Sequence, residues 1–217
     1  MKTYLLNIYT VAVLFCCLAF FSDYLIGQDG GPKIELVPNT LRDISIEEVK
    51  VKADTGNPEA MATYGAALAT GAFGLKQSQS ESIRWFKMAA EKGSSDGASG
   101  LGWAYFNGEG IEQDYKEAAK WFLIAAEKGN PVAQERMGYL YSEGKGVPTE
   151  PVVALGWYKK SAEQGNEGGI CGVGMCYLLG KGVEKNDQEA LVWFKKAADR
   201  GDPIGKQFYE LVKSQQK

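Results

Sequence analysis

Hydrophobic positions recur along the chain with a period of 36 residues, which is clearest for four tryptophans. Trp85, Trp121, Trp157 and Trp193 are spaced by this interval. Each is followed directly by a second aromatic residue and then, three and four residues further on, by a pair of small residues. This spacing places the apolar positions on one stripe of a helix. The pattern predicts one amphipathic helix in each of four copied units, and a period of this length indicates a stacked repeat protein.

A different helix is predicted at the start of each unit. A polar residue that suits a helix N-cap follows the last glycine of every unit, and in three cases a proline comes next, at a position that needs no N–H. The caps are Asn57, Ser94, Asn130, Asn166 and Asp202. Glycines near Gly71, Gly108, Gly144 and Gly180 end these helices, because glycine enters the left-handed conformation at little cost. The units therefore run over 57–93, 94–129, 130–165 and 166–201.

The start of the tryptophan helix carries a capping box in three of the units. In such a box the first side chain accepts an N–H from the first turn, and a carboxylate three residues on reaches back. The pairs are Ser78 with Glu81, Asp114 with Glu117 and Asn186 with Glu189, whereas the third unit has Pro151 at its start. Glycine recurs in the middle of the first helices, at positions 65, 102, 138 and 174. We expect these glycines to make room for the tryptophan rings.

The repeated residues resemble those of a known family. In the second unit they are Leu101, Gly102, Tyr105, Gly108, Gly110, Ile111, Asp114, Ala118, Trp121, Ala125, Ala126 and Gly129. This pattern is similar to the Sel-one-like repeat, a relative of the tetratricopeptide repeat, and it covers about residues 57–201. The resemblance implies an all-α fold, a right-handed α-solenoid (superhelix) of antiparallel helix pairs. It also implies a concave surface that binds other proteins.

The two ends of the chain differ from the repeats. Residues 1–27 combine Lys2 with a mainly apolar run. They are interpreted as a secretory signal peptide cleaved after Gly27, or alternatively as an uncleaved membrane anchor, since the run approaches the length that spans a bilayer. Residues 28–40 are predicted to be a linker. Residues 41–56 and 202–217 are predicted to contain capping helices that close the two ends of the stack.

Composition narrows the possible chemistry. The net charge is −3, acidic and basic residues are interspersed, and histidine is absent. The sequence therefore lacks the most common general base and zinc ligand, and no basic stripe favours nucleic acid as a partner. We predict no cofactor, no metal site and no catalytic residue.

Two sets of residues suggest chemistry but have simpler explanations. Cys171 and Cys176 lie five positions apart on one predicted helix, too far around it to form a disulfide with each other, and are interpreted as packing residues. Ser142 and Lys145 match the Ser-x-x-Lys string of penicillin-recognising enzymes. Lys145, however, lies in a turn that recurs in the next unit at Lys181. Some exported members of the similar family are cysteine-rich and have been proposed to act on penicillins. A cell-wall or β-lactam enzyme therefore stays an alternative function, by analogy alone.

The predicted inner surface of the superhelix is rich in aromatic residues near its middle. Trp103 lies outside the 36-residue tryptophan series, and aromatic residues are enriched at the centres of protein contacts. The predicted partner-binding residues are Trp103, Phe106, Tyr139, Met175 and Leu178, with Glu135 and Arg136 for polar discrimination. The alternative is that Trp103 and Tyr139 only pack against adjacent first helices. We predict an exported, non-catalytic scaffold that binds a protein or peptide, located in the periplasm or secreted, with a membrane-tethered assembly adaptor as a further alternative.

The fate of residues 1–27 distinguishes the secreted form from the tethered form. We expect mass spectrometry of the chain purified from its own cells to give Gln28 as the first residue, because a signal peptidase cleaves after a small residue such as Gly27. Recovery of the full chain, starting at Met1, in the membrane fraction would instead identify the segment as an anchor.

Overall fold

The computed structural model describes residues 45–215, and this part of the chain is built from helices. Their bounds in chain order are α1 Ile46–Asp54, α2 Pro58–Thr70, α3 Gln79–Glu91, α4 Ser95–Asn107, α5 Tyr115–Glu127, α6 Pro131–Glu143, α7 Pro151–Glu163, α8 Glu167–Leu179, α9 Asp187–Asp199 and α10 Pro203–Ser214. A short 3-10 turn, Ala72–Gly74, lies in the longer loop of the first unit. The predicted signal peptide or anchor, 1–27, and the predicted linker, 28–40, lie outside the described residues.

Each helix packs against the next one along the chain, from α1 through to α10. The first and second helix of each unit form an antiparallel pair, and successive pairs stack. No strand occurs within residues 45–215. The predicted fold class, an all-α solenoid of helix pairs, is therefore confirmed. In the same residues, no helix combines the length and the apolar character needed to cross a bilayer.

The local signals at the ends of the first helices are confirmed. The side chain of every predicted cap accepts a hydrogen bond from a backbone N–H in the first turn of its helix, and the proline occupies the first turn of α2, α6 and α10. Gly71, Gly108, Gly144 and Gly180 end α2, α4, α6 and α8 with φ values of 70°, 74°, 68° and 69°. The positive φ explains why glycine occupies the C-cap in each unit.

The capping boxes form only in part. Ser78, Asp114 and Asn186 accept N–H groups from the first turns of α3, α5 and α9, as predicted. Their own backbone N–H groups do not bond to the glutamates. Instead, the N–H of Ser78 donates to the carbonyl of Leu68 over 2.9 Å. The equivalent bonds of Asp114, Glu150 and Asn186 likewise reach the preceding first helix. These bonds fasten the two helices of one unit to each other, so the reciprocal half of the predicted box is wrong.

The aromatic residue that follows the tryptophan is buried in every unit. Phe86, Phe122, Tyr158 and Phe194 are between 0% and 6% exposed. A Cβ added to Gly102 would lie 2.8 Å from the Phe122 ring, and one added to Gly138 would lie 2.7 Å from the Tyr158 ring. The tryptophans are only partly buried and pack along the edge of the core. The prediction that tryptophan fills the space beside these glycines is therefore wrong, because the neighbouring ring does so.

A second residue position controls how closely successive first helices approach. It is occupied by Gly100 in α4, Arg136 in α6, Gly172 in α8 and Phe208 in α10. A Cβ on Gly100 would lie 2.6 Å from the Phe86 ring, and one on Gly172 would collide with the Tyr158 ring. Accordingly, α2 packs against α4 and α6 against α8, whereas α4 and α6 do not pack closely and α8 barely touches α10. The larger Arg136 side chain therefore leaves the first helices apart at the middle of the stack.

Substitution of Gly100 tests this packing. Gly100→Ala is expected to destabilise the protein by about 1–3 kcal/mol, because the added methyl group overpacks a core site. The Phe86 ring has no room to retreat, since a Cβ on Gly65 at its other side would already lie 3.0 Å away. Chemical denaturation measures the change.

Gly156→Ala is the matched control, because a Cβ at this exposed position in the middle of α7 would meet nothing within 4 Å. It should stabilise the protein by about 0.5–1 kcal/mol, the usual gain of alanine over glycine in a helix. Equal effects of the two substitutions would contradict the packing described above.

Candidate functional site

The predicted binding residues divide into two groups by exposure. Trp103, Tyr139 and Met175 are partly exposed on the first helices α4, α6 and α8. Phe106 and Leu178 are only 4% and 3% exposed, because they lie on the faces of α4 and α8 that meet the second helices. The structure thus places the Phe106 ring and the Leu178 side chain in the core instead of on an open surface. A role of any of the five in binding a partner stays a prediction.

The aromatic residues of α4 and α6 form one connected cluster. Phe106 stacks on Trp103 with ring centres 6.0 Å apart, and it meets Tyr139 edge-on at 5.8 Å. It also meets Phe122 of the core at 6.3 Å. The buried Phe106 ring therefore packs against both partly exposed rings, Trp103 and Tyr139. The inner surface between α4 and α6, formed by Trp103, Arg136 and Tyr139, is called the central junction below.

Glu135 and Arg136 are both buried at the central junction, at 5% and 6% exposure. Arg136 Nε lies 3.0 Å from Glu135 Oε2, although the two atoms lack the alignment of a hydrogen bond. The guanidinium also lies over the Trp103 ring, 4.7 Å from its centre. Burial raises the pKa of the Glu135 carboxyl group, and the nearby guanidinium only partly opposes this effect. The sequence predicted polar discrimination here but gave no sign that both charges are buried.

Lys145 is held by aromatic residues. Its Nζ donates to Tyr139 Oη over 2.7 Å and lies 5.2 Å from the centre of the Tyr115 ring. Partial burial lowers the pKa of this amine, but the hydrogen bond and the neighbouring phenols outweigh burial and raise it overall. Ser142 Oγ instead donates to Glu143 and accepts from Lys181. Ser142 and Lys145 therefore do not form a nucleophile and base pair in this structure.

The cysteines of the described region are buried and free, so the prediction that they do not pair with each other is confirmed. Cys171 Sγ donates to Asp202 Oδ2 over 2.9 Å, which links α8 to the cap of α10. Burial and the adjacent Asp202 carboxylate raise the pKa of the Cys171 thiol. Burial likewise raises the pKa of Cys176, to about 11. Nothing in the sequence pairs Cys171 with Asp202, which is 31 residues away.

The structure also contains a cavity that was not predicted from the sequence. It lies beside α1, α2 and α3 and has a volume of about 310 Å³. Its lining residues are Lys50, Tyr64, Glu81, Arg84, Trp85 and Met88. Within residues 45–215, no cluster of histidine, cysteine, aspartate or glutamate is arranged to hold a metal ion.

Comparison with known proteins places these repeats in a family. The model of the Sel1 repeat matches four segments, 58–94, 95–130, 131–166 and 169–202. The chain belongs to the Sel1 repeat family. The resemblance noted in the sequence is thereby confirmed, and Sel1 repeat proteins are generally scaffolds for protein interaction.

Solved structures of Sel1 repeat proteins have the same fold. A protective antigen of uropathogenic Escherichia coli strains is 34% identical, with a TM-score of 0.67 over 77% of this chain and 36% of that chain. A Sel1 repeat protein from Oxalobacter formigenes is 26% identical, with a TM-score of 0.69 over 76% of this chain and 65% of that chain. This chain therefore spans about a third of the first relative and somewhat under two thirds of the second. No curated protein matches the chain.

The buried cysteines allow a direct solution test. In the chain from Gln28 onward, which contains only Cys171 and Cys176, both thiols should resist a thiol reagent at pH 8 until the protein is unfolded. The pKa of each thiol is raised, so little reactive thiolate is present at that pH, and both side chains are buried. Absorbance of the released chromophore measures the rate.

A Ser80→Cys variant is the control, because this position is exposed on α3, and it should react rapidly in the folded state. Rapid labelling of Cys171 or Cys176 in the folded protein would contradict this prediction, because it would show that the thiol is accessible to the reagent.

Proposed function

We propose that this Sel1 repeat protein is an exported, non-catalytic scaffold that binds a protein or peptide segment across the inner surface of its first helices. The proposal joins the general role of the family in protein interaction to one local observation. That observation is the pair of partly exposed aromatic side chains, Trp103 and Tyr139, at the central junction. Met175 extends the same surface onto α8.

The central junction suits a partner better than the neighbouring junctions do. At Gly100, α2 packs directly against α4, and at Gly172, α6 packs directly against α8. The helices of these two pairs therefore leave no separation for a partner. At the central junction α4 and α6 stay apart, and the aromatic rings are supported by the buried Phe106. Rigid, well-supported aromatic side chains give a large contact area at low cost in side-chain entropy.

Charged residues lie beside the aromatic surface, at the C-terminal ends of α6 and α8. Lys145 bonds to Tyr139, and Lys181 bonds to Glu143 over 2.9 Å. Such partly exposed charges contribute to the rate and specificity of association more than to its strength. They favour a partner that presents polar groups around an apolar centre, which is typical of a peptide segment.

Export is part of the same proposal and depends on residues 1–27. Cleavage after Gly27 would give a soluble periplasmic or secreted scaffold, whereas retention of the segment would give a membrane-tethered adaptor. We propose no catalytic role, since Ser142 and Lys145 are each bonded to other groups and the pKa of Lys145 is raised.

The proposal predicts the effect of removing the two aromatic rings. The double variant Trp103→Ala/Tyr139→Ala should lose its partners in an affinity capture from the native cells, because hot-spot aromatics carry most of the binding energy. Its helical content, measured by circular dichroism, should stay that of the wild type.

A matched control replaces two exposed apolar residues of the second helices, Ile124 and Val152, with alanine. This control should capture the same partners as the wild type. An unchanged partner set for the Trp103/Tyr139 variant, or an equal loss for the control, would show that the inner surface is not the binding site.

A further inference from the structure

The central junction contains buried hydrogen-bond donors that have no acceptor within residues 45–215. They are Nε and Nη1 of Arg136 and Nε1 of Trp103. The side chain of Arg136 is only 7% exposed, so these donors are also shielded from water. A guanidinium carries five donors and no acceptor, and a buried donor without an acceptor is unfavourable. The described residues therefore leave these donors of the central junction without an acceptor.

The carboxylates of the first helices do not fill this role. Glu135 lies near Nε, but it is not aligned to accept a hydrogen bond. Asp96 accepts from Asn130 over 2.8 Å, and Glu143 accepts from Lys181 and Ser142. Burial also favours the neutral form of Glu135, since it raises the pKa of that carboxyl group. Within residues 45–215, Nε and Nη1 of Arg136 thus have no aligned acceptor.

The first helices are least closely packed at the same junction. The backbones of α4 and α6 do not pack closely, in contrast to the pairs on either side. The Trp103 ring lies directly over the guanidinium and is itself partly exposed. A ligand reaches Arg136 only by displacing the Trp103 ring, and both side chains have buried donors without an acceptor among the described residues. Lys145 adds a second positive charge next to Tyr139.

We propose that the central junction binds the carboxylate of an acidic side chain in a partner peptide, with Arg136 and the indole N–H of Trp103 as the donors. A carboxylate matches the planar fork of a guanidinium, and charge-assisted hydrogen bonds are about twice as strong as neutral ones. This inference rests on the proposed function, because it names the chemistry of the partner that the inner surface receives.

Two capped peptide pools test the preference for an acid. Both have the form acetyl-X3-Z-X3-amide, where X is any uncharged residue, Z is glutamate in one pool and glutamine in the other, and no terminal carboxylate is present. The indole N–H signal of Trp103, identified by its loss in Trp103→Phe, is followed by NMR as each pool is added. We expect a saturable shift with the glutamate pool and an affinity about tenfold weaker for the glutamine pool.

Conservative variants test the two donors separately, with isothermal titration calorimetry as the readout of binding, because this signal does not depend on Trp103. Trp103→Phe keeps an aromatic ring and removes the N–H together with the smaller ring of the indole, so it should weaken binding of the glutamate pool about tenfold and bring it close to that of the glutamine pool. Arg136→Lys should have a similar effect, because lysine keeps the charge and loses the fork. The controls Trp157→Phe and Arg84→Lys change the same residue types on second helices and should leave the affinity unchanged.

The outcomes separate this inference from the proposed function. Equal binding of the two pools, or equal losses in the control variants, would overturn the acidic preference while leaving peptide binding by the inner surface intact. Binding of neither pool would also overturn the inference. The proposed function fails if the Trp103→Ala/Tyr139→Ala variant still captures its cellular partners, or if the Ile124 and Val152 control loses them equally.

Discussion

The structure depends on one buried aromatic ring per unit, which in the first and third units fits between glycines of two successive first helices. Phe86 lies between Gly65 of its own unit and Gly100 of the next, and Tyr158 lies in the same way between Gly138 and Gly172. Glycine is favoured because a Cβ at these positions would lie only 2.3–3.0 Å from the nearest ring atom. Each ring is therefore buried by two units at once, so that a single unit has no complete core. This is the physical basis of stacking in repeat proteins.

The same position explains why the repeats do not pack equivalently. Glycine permits close packing of α2 with α4 and of α6 with α8, whereas Arg136 occupies that position in α6 and the helices on its N-terminal side stay apart. An arginine in place of a packing glycine thus accounts for both the wider separation and the buried charge. The aromatic cluster of Trp103, Phe106 and Tyr139 lies between the two helices. A regular scaffold acquires a distinct surface at its middle without any change in helix number or length.

Much of the fold was predictable from the sequence because its signals are local and repeated. Caps such as Asn57 and stops such as Gly108 act within one turn of the backbone, and the 36-residue period places them in every unit. The identity of the buried ring was not predictable, because Trp85 and Phe86 share the same period and differ only by about 100° around the helix. The burial of Arg136 depends on contacts between units, which the pattern of one unit does not contain.

We infer that the residue at the position of Arg136 sets the distance between α4 and α6. A crystal structure of the Arg136→Gly variant would measure this dependence. In that variant α4 and α6 should close to the spacing seen between α2 and α4, with the Phe122 ring between two glycines and the central junction lost. An unchanged spacing between α4 and α6 would show that another residue keeps these helices apart.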